Sequence, residues 1–469
     1  MIFSDWPWRH WANVRGANVA LRLDDERLTW PTLCQRVDAL AGGFRQQGVK
    51  EGDGVALKAK NGPQTLLAWL ALLQCGARVL PLNPQLPESL LAELLPSMTL
   101  SYGINLTDVC PLPGLTPLRL VDAAPWCESW RPSRFASMTL TSGSTGLPKA
   151  AVHTCSAHLA SAAGVLSMMD YGAEDSWLLS LPLFHVSGQG ILWRWLHAGG
   201  QLKVSSAQSI SEALRECSHA SLVPTQLWRL LEQQQPLEQQ QPLEQQQPLE
   251  QQQPLALREV LLGGAAIPVE LTQQAEARGV RCWCGYGLTE LASTVCAKRA
   301  DGLPDVGKPL AGREVKIVEE EVWIQADSLA SGYWRDGKLI PLVNEHGWFA
   351  TRDRGVLQAG QLMIMGRLDN QFFSGGEGIQ PEEVERVIAT HPAVQQVFVV
   401  PVDDAEFGQR PVAVVETSVG CDLNEIAVWL DGKLPRFQRP VRWLTLPQEL
   451  KQGGIKISRR RLMEWVAGA

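Results

Sequence analysis

Residues 141–150 read Thr141-Ser142-Gly143-Ser144-Thr145-Gly146-Leu147-Pro148-Lys149-Ala150. Hydroxyl residues, glycines and a lysine fill most of this run. Glycine lets the backbone approach a ligand with no Cβ in the way. Successive N–H groups in such a loop converge on one concavity and hold anionic oxygens. Ser142, Ser144 and Thr145 add hydroxyl donors, and Lys149 adds a point charge. The chemistry is that of a cradle for a polyphosphate. A flexible surface loop is the competing reading of any Ser/Gly run, and the lysine with the apolar Ala150-Ala151-Val152 behind it weighs against that. A Walker loop needs Gly-Lys-Ser/Thr opening a helix. Here Pro148 precedes Lys149 and Ala150 follows it, which disfavours a P-loop ATPase.

On either side the chain alternates strand and helix patterns. Leu33, Val37, Leu40 and Phe44 fall at helical spacing over 31–48, with Gly48 as the stop. Val55-Ala-Leu-Lys reads as a strand, Leu66–Leu73 as a buried helix, and Arg78-Val-Leu-Pro-Leu as the next strand. This alternation predicts an α/β fold with mostly parallel sheet flanked by helices. Near residue 368 the character shifts at Gly366-Arg-Leu-Asp-Asn. A helix opened by Pro381 (Glu382 to Ala389), a strand (Val394 to Val400) and a basic C-terminus follow. The expected division is therefore a large unit over 1–368 and a small α+β unit over 369–469. Residues 232–255 are four tandem copies of Glu-Gln-Gln-Gln-Pro-Leu. Proline every six residues forbids a continuous helix and one leucine per copy builds no core, so this reads as an expanded surface loop away from the chemistry. A docking tract for a partner is the alternative.

The 469 residues suffice for two or more domains. An apolar share of 45% and a charged share of 19% fit a soluble globular protein, and a net charge of −7 argues against nucleic-acid binding. No run approaches the roughly 20 apolar residues of a membrane span, and Met1-Ile-Phe-Ser-Asp-Trp lacks a signal-peptide pattern. The ten scattered cysteines suit reduced thiols in a cytoplasm. Cys282 and Cys284 form a C-x-C pair with no second pair at zinc spacing, so core packing is expected of them.

Further along, Gly263-Gly264-Ala265 follows an apolar strand and leaves room for a flat base. In Gly285-Tyr286-Gly287-Leu-Thr289-Glu290, the Tyr286 ring suits adenine, the Thr289 hydroxyl a phosphate, and Glu290 a Mg²⁺ carried by a nucleotide. Asp353 is a candidate for both ribose hydroxyls, and Arg367 for helping to hold the ribose. Taken singly, Tyr286 reads equally as core, Glu290 as a surface carboxylate and Asp353 as a turn cap. The order Ser-Gly-Ser-Thr-Gly-x-Pro-Lys, followed by these segments in sequence, resembles the adenylate-forming enzymes: acyl-CoA ligases, peptide-synthetase adenylation domains and luciferases. The resemblance spans nearly the whole chain outside the glutamine repeat. It implies their fold, a large N-terminal domain of mixed and parallel sheets with a small mobile C-terminal domain, and ATP, Mg²⁺ and coenzyme A as reactants.

The resemblance also implies roles. Lys456, in Gly453-Gly-Ile-Lys-Ile-Ser, resembles the family's catalytic lysine, with Lys451 as the competing candidate. A carboxylate attacking the α-phosphorus needs such a cation, because both reactants are anions. Thr289 and Glu290 join it as catalytic residues, and Asp369 resembles the hinge residue. Ser374, Gly375 and Gly376 are candidates for lining the pantetheine passage, and His185 for a gate or wall of the acid pocket or, equally, a core histidine. Asp327-Ser-Leu echoes a phosphopantetheine attachment triplet without its preceding glycines and is discounted, leaving free coenzyme A as the thiol.

Asp175-Ser-Trp-Leu-Leu-Ser-Leu-Pro-Leu-Phe-His, His219-Ala-Ser-Leu-Val-Pro-Thr-Gln-Leu-Trp-Arg and Phe372-Phe-Ser-Gly-Gly-Glu-Gly-Ile are most similar to the o-succinylbenzoate–CoA ligase branch, which serves menaquinone biosynthesis. That acid carries two carboxylates, and the one not activated needs a cation or several donors. Arg229 is the candidate, with Ser187, Ser293 and Thr294 as further donors; a helix-surface arginine is the competing reading of Arg229. One departure is Arg352, where glycine usually precedes the ribose-binding Asp. The expected function is an AMP-forming acid–thiol ligase acting on small molecules in the cytoplasm, with no nucleic-acid or membrane partner and a homo-oligomer left open. A CoA ligase for another aryl or short acyl acid, and a non-catalytic nucleotide-binding scaffold, are the alternatives.

Overall fold

The computed structural model describes residues 2–141, 148–207, 209–232, 256–265, 267–418, 421–451 and 457–468, and everything below concerns those residues. Two large sheets carry the first two-thirds of the chain. In the eight-stranded sheet, Phe135–Thr141, Arg78–Leu82, Gly54–Lys58 and Tyr102–Asn105 run parallel in that spatial order. Beyond Phe135–Thr141 the sheet turns antiparallel, through Lys149–Thr154, Gly332–Arg335 and Lys338–Ile340. The nine-stranded sheet has the same design. A parallel run through Gln201–Lys203, Ser176–Leu178, His219–Leu222, Glu259–Leu262 and Arg281–Leu288 passes into antiparallel Ser293–Arg299 and Lys308–Pro309.

Local chemistry explains the elements. Thr29 caps the helix Trp30–Gln46 by accepting from Thr32 N, Pro31 lies in the first turn, and Leu33, Val37, Leu40 and Phe44 are buried. The helix Pro63–Gln74 is apolar nearly all round and almost wholly buried, so the strands beside it are apolar as well. The N-terminal helix Pro7–Val14 joins this core through Trp8 Nε1, which donates to Gln74 Oε1 at 2.9 Å. Trp30 stacks on Trp195 with ring centroids 5.2 Å apart. The two strands that flank the hydroxyl-rich run, Phe135–Thr141 and Lys149–Thr154, are direct antiparallel partners with Thr141 opposite Lys149. The run therefore joins strand to strand, not strand to helix, in agreement with the exclusion of a Walker loop.

A separate four-stranded antiparallel sheet follows: Arg313–Val318, Glu321–Ala326, Phe349–Gln358 and Gln361–Arg367. After the short turn Leu368–Asn370 a last sheet begins at Phe372. Its long hairpin, Val394–Asp404 with Gly408–Thr417, buries opposite faces in two clusters. Val399, Ala413 and Val415 pack with Phe372, Val384 and Ile388, while Val400, Val412 and Val414 pack with Leu446, Leu462 and Val466. Both clusters draw only on residues from 372 onward. The helix Pro381–Ile388 has Pro at its first turn with Glu382 and Glu383 beside it, which suits the helix dipole.

The hairpin Phe372–Ser374 with Glu377–Ile379 pairs Ser374 with Glu377. Gly375 (φ +59°) and Gly376 (φ +85°) are its two turn residues. A two-residue turn with both φ positive requires this composition. No described helix is long and apolar enough to cross a membrane. All ten cysteines are free, with Cys282 buried and Cys284 partly so.

Three histidines are buried as neutral rings. Burial holds His153 and His219 down at about 4, and His158 well below its ordinary value of 6.5. The unfolded chain thus binds more protons between pH 6.5 and about 4, and stability is lost as the pH falls through that window. Calorimetry across it is expected to show a steadily falling Tm; a flat Tm from pH 6.5 to 4.5 would contradict the assignment.

Candidate active site

The hairpin that ends in Thr141 and begins again at Lys149 sits beside Gly332–Arg335. Lys149 Nζ lies 5.2 Å from the centre of the Tyr333 ring, and Tyr333 Oη donates to Glu290 Oε1 at 2.7 Å. Burial and the adjoining carboxylate push the Tyr333 phenol far above its ordinary pKa, so it stays a donor. Three segments remote in sequence thus bring Lys149, Tyr333 and Glu290 together. Ser142, Gly143, Ser144, Thr145 and Gly146 lie outside the described residues.

The nucleotide candidates form a second group. Gly263 and Gly285 abut: a Cβ on Gly263 would stand 3.3 Å from Gly285 O. Gly264 has φ +85°, and Ala265 follows it in an exposed bend. Gly287 is packed so closely on the neighbouring strand that a Cβ would fall 1.9 Å from Ser293 O. Tyr286 Oη donates to Asp353 Oδ2 at 2.5 Å, and Arg367 Nη1 lies 3.1 Å from Asp353 Oδ1. Asp353 and Arg367 are direct cross-strand partners. Asp353 is only 4% exposed. Its strand bulges there, because Glu321 pairs with Arg354 and Trp323 with Ala350, leaving three residues opposite one. Bulges of this kind re-aim side chains at functional sites.

The third group contains the residue that the sequence pattern did not reveal. Arg194, on the helix Val186–Ala198, is 2% exposed, and among the described residues no carboxylate pairs with it or accepts from it. Its Nη2 donates to Ser221 Oγ at 3.0 Å, and its guanidinium lies 4.7 Å above the Trp177 ring. Burial lowers its pKa to about 9, still high enough to keep the charge at neutral pH. Gly190, one turn earlier, leaves a gap: a Cβ there would come 3.2 Å from Ser293 Oγ and 3.3 Å from Arg194 Nη1. Ser293 therefore borders the same space as Arg194, and the hydroxyl of the 6%-exposed Thr294 lies 3.5 Å from that of Ser293.

The turn supplying Thr289, Glu290 and Ser293 is strained and clamped. Ala292 (φ +51°) and Ser293 (φ +107°) are both left-handed. Ser161 Oγ donates to Ala292 O at 2.7 Å, and Arg313 Nε donates to Thr294 O at 3.2 Å. His185 immediately precedes the Arg194 helix, with Ser187 in the first turn, and the His185 ring packs on Phe184 at 4.7 Å. Arg229 is exposed on the helix Pro224–Glu232, whose buried side is Pro224, Leu227, Leu230 and Leu231.

In the C-terminal unit, Lys451 Nζ is bonded to Glu416 Oε1 at 2.7 Å. Lys456 lies outside the described residues, as does the glutamine repeat from 233 to 255. Asp369 sits in the turn Leu368–Asn370, with Arg352 Nη2 at 2.8 Å. Ser374 is 2% exposed, at the turn formed by Gly375 and Gly376. Ser328, of the Asp327-Ser-Leu triplet, is fully buried, so no thiol arm can be attached to it.

The AMP-binding enzyme model matches residues 8–334, and the AMP-binding enzyme C-terminal domain matches 383–452. The 2-succinylbenzoate–CoA ligase of Salmonella typhimurium is 64% identical, with 99% of each chain covered. This chain belongs to the AMP-binding enzymes, in the 2-succinylbenzoate–CoA ligase family. An arginine-to-lysine variant of Escherichia coli MenE with bound OSB-AMS superposes with a TM-score of 0.92 at 62% identity, covering 99% of both chains. The Bacillus subtilis o-succinylbenzoate coenzyme A synthetase in complex with ATP and magnesium ion shares the fold at 23% identity, with a TM-score of 0.77 over 94% of this chain and 96% of that one.

For a ligase of this family the Tyr286–Asp353 bond has a measurable consequence. Tyr286→Phe keeps the ring and removes the donor to a buried carboxylate, so KM for ATP is expected to rise roughly tenfold with the fold intact. An unchanged KM for ATP would remove Asp353 from nucleotide binding.

Proposed function

We propose that this chain is the ATP-dependent ligase that joins 2-succinylbenzoate to coenzyme A, in menaquinone biosynthesis, through an acyl-adenylate. The succinyl carboxylate attacks the α-phosphorus of ATP and expels pyrophosphate. The thiol of coenzyme A then attacks the mixed anhydride, forming the thioester and releasing AMP. Near-full-length identity to 2-succinylbenzoate–CoA ligases supports this reading. The observation that carries the choice of acid is Arg194: a buried cation with no carboxylate of its own, beside Ser293, on the turn that also holds Glu290.

An uncompensated buried charge is costly unless an opposite charge arrives with the ligand. A dicarboxylic acid supplies one. We therefore assign the ring carboxylate to Arg194, with Ser293 and Thr294 as further donors, and give Arg229 no role in holding it. His185 and Ser187, at the start of the same helix, line the approach.

On the nucleotide side, Asp353 takes the ribose hydroxyls, held by Tyr286 and Arg367. The Gly263-Gly264-Ala265 and Gly285-Tyr286-Gly287 segments flank the base. Thr141, Lys149, Thr289 and the run 142–146 hold the phosphates. Magnesium carried by the nucleotide would neutralise phosphate charge, and Glu290 would be its protein ligand. Glu290 fits as a lone carboxylate, since no group of three metal-ligating side chains forms among the described residues. Lys456 neutralises the transition state of the first step; Lys451, committed to Glu416, does not compete for that task. The chain works as two units, 1–368 and 369–469, turning about Asp369, with Ser374, Gly375 and Gly376 beside the thiol's passage. It acts on small molecules in the cytoplasm.

Mass spectrometry of a mixture of ATP, coenzyme A and 2-succinylbenzoate is expected to show the thioester and AMP; ATP–pyrophosphate exchange with benzoates but none with 2-succinylbenzoate would overturn the reading. Arg194→Met should raise KM for the acid about 100-fold and leave KM for ATP unchanged, because a buried charge pair loses one partner. Arg229→Ala should leave both constants unchanged. The reverse pattern would return the carboxylate to Arg229.

A further inference from the structure

Arg352 occupies the bulge of the strand Phe349–Gln358 with left-handed backbone, φ +63°. Glycine takes that conformation without strain, and a residue with a Cβ does not. The backbone N–H of Arg352 donates to Glu321 Oε1 at 2.7 Å, which fixes the bulge. Its side chain leaves the bulge on the side of the turn Leu368–Asn370. It reaches Asp369, with Nη2 at 2.8 Å and Nε at 3.3 Å from Oδ1. Arg367 Nη2 lies 3.5 Å from the other oxygen, Oδ2. The Asp369 carboxylate is thus gripped by two arginines on adjacent strands of the four-stranded sheet. Asp369 belongs to the turn that leads into the C-terminal sheet.

The neighbouring bonds are of another kind. Gln380 Nε2 donates to Arg367 O at 3.0 Å, and Arg354 Nη1 lies 3.5 Å from Glu383 Oε1, contacts between the four-stranded sheet and the start of the helix Pro381–Ile388. Asn370 Nδ2 donates to Glu382 Oε1, which ties the turn to that helix within the C-terminal unit. Arg352 acts on the turn directly. Any rotation about Asp369 changes that residue's backbone angles and swings its carboxylate, while Arg352 stays with its sheet.

We propose that Arg352 is a positioning residue: a latch on the hinge carboxylate that favours the orientation of the C-terminal unit seen here and opens whenever that unit turns. The proposal rests on the reading of Asp369 as the hinge. An ion pair present in one orientation and absent in the other biases the equilibrium between them. The Arg352 side chain is 57% exposed and that of Asp369 30%, so the bias is modest. A pair of this exposure shifts such an equilibrium by roughly two- to fivefold. That is small for the stability of the chain and large for an enzyme that must visit both orientations in each turnover.

Single-turnover kinetics test this with the full chain. Adenylate formation from acid and ATP, and thioester formation from preformed adenylate and coenzyme A, are measured separately for the parent, Arg352→Ala and Arg352→Lys. Arg352→Ala is expected to move the two rates in opposite directions by roughly two- to fivefold, with Arg352→Lys in between and Tm at or above the parent's, since alanine tolerates the bulge no worse than arginine. Two unchanged rates, or two rates that fall together with Tm, overturn the latch. Asp369→Pro separates the latch from the hinge. It is expected to suppress one half-reaction in every Arg352 background. If it leaves both half-reactions intact, the hinge reading fails and the latch with it; if it suppresses one while Arg352→Ala changes neither, only the latch fails.

Discussion

The reaction brings anion to anion, and the need to hold that charge organises the site. Triphosphate, attacking carboxylate and spectator carboxylate must share one small space. Each has to be met by positive charge or by fixed donors placed before the ligands arrive, because preorganised groups cost no rearrangement at the moment of reaction. Arg194 is the clearest case. A guanidinium at 2% exposure over a tryptophan ring, with a serine hydroxyl and no carboxylate as its partner among the described residues, is poorly compensated. On this account the protein tolerates it because the substrate completes it.

The fold places these groups by one repeated device. Each large sheet is parallel at its centre and antiparallel towards an edge, and the antiparallel hairpins carry the candidate residues: Phe135–Thr141 with Lys149–Thr154 in one, Arg281–Leu288 with Ser293–Arg299 in the other. Parallel strands need long crossovers and bury apolar residues on both faces. Hairpins return at once and expose their connecting loops. The bulge at Arg352 and Asp353 repeats the theme in the third sheet: one residue goes inward to Tyr286 and the next one back goes outward to Asp369.

Much of this was legible from the sequence, because it rests on local pattern. The helix read over 31–48 from the spacing of Leu33, Val37, Leu40 and Phe44 is Trp30–Gln46, and Arg78-Val-Leu-Pro-Leu is a strand over the same five residues. Tyr286, Glu290 and Asp353 were visible as motif residues, though not that Tyr286 bonds Asp353, a contact across 67 positions. Arg194 was invisible for a physical reason. Within Ile191-Leu-Trp-Arg-Trp-Leu it reads as a polar interruption of a buried helix, and only the folded chain reveals that no carboxylate among the described residues pairs with it. Arg229 was the sequence candidate because the resemblance places its segment near the acyl site, and the amphipathic pattern of Pro224–Glu232 turns it to solvent. Tyr333 carries no signal at all until its strand pairs with Lys149–Thr154. Arg352 stood out in the sequence as a cation in a glycine's place, and its partner Asp369 emerged only from the sheet register.

The central claim is that a buried cation selects an acid with a second carboxylate. It is tested most directly on the substrate side, by comparing 2-succinylbenzoate with 4-oxo-4-phenylbutanoate, the same molecule without its ring carboxylate, in ATP–pyrophosphate exchange. Loss of the partner for a buried charge predicts a fall of about 100-fold or more in kcat/KM for the analogue. Equal kcat/KM for the two acids would contradict the account.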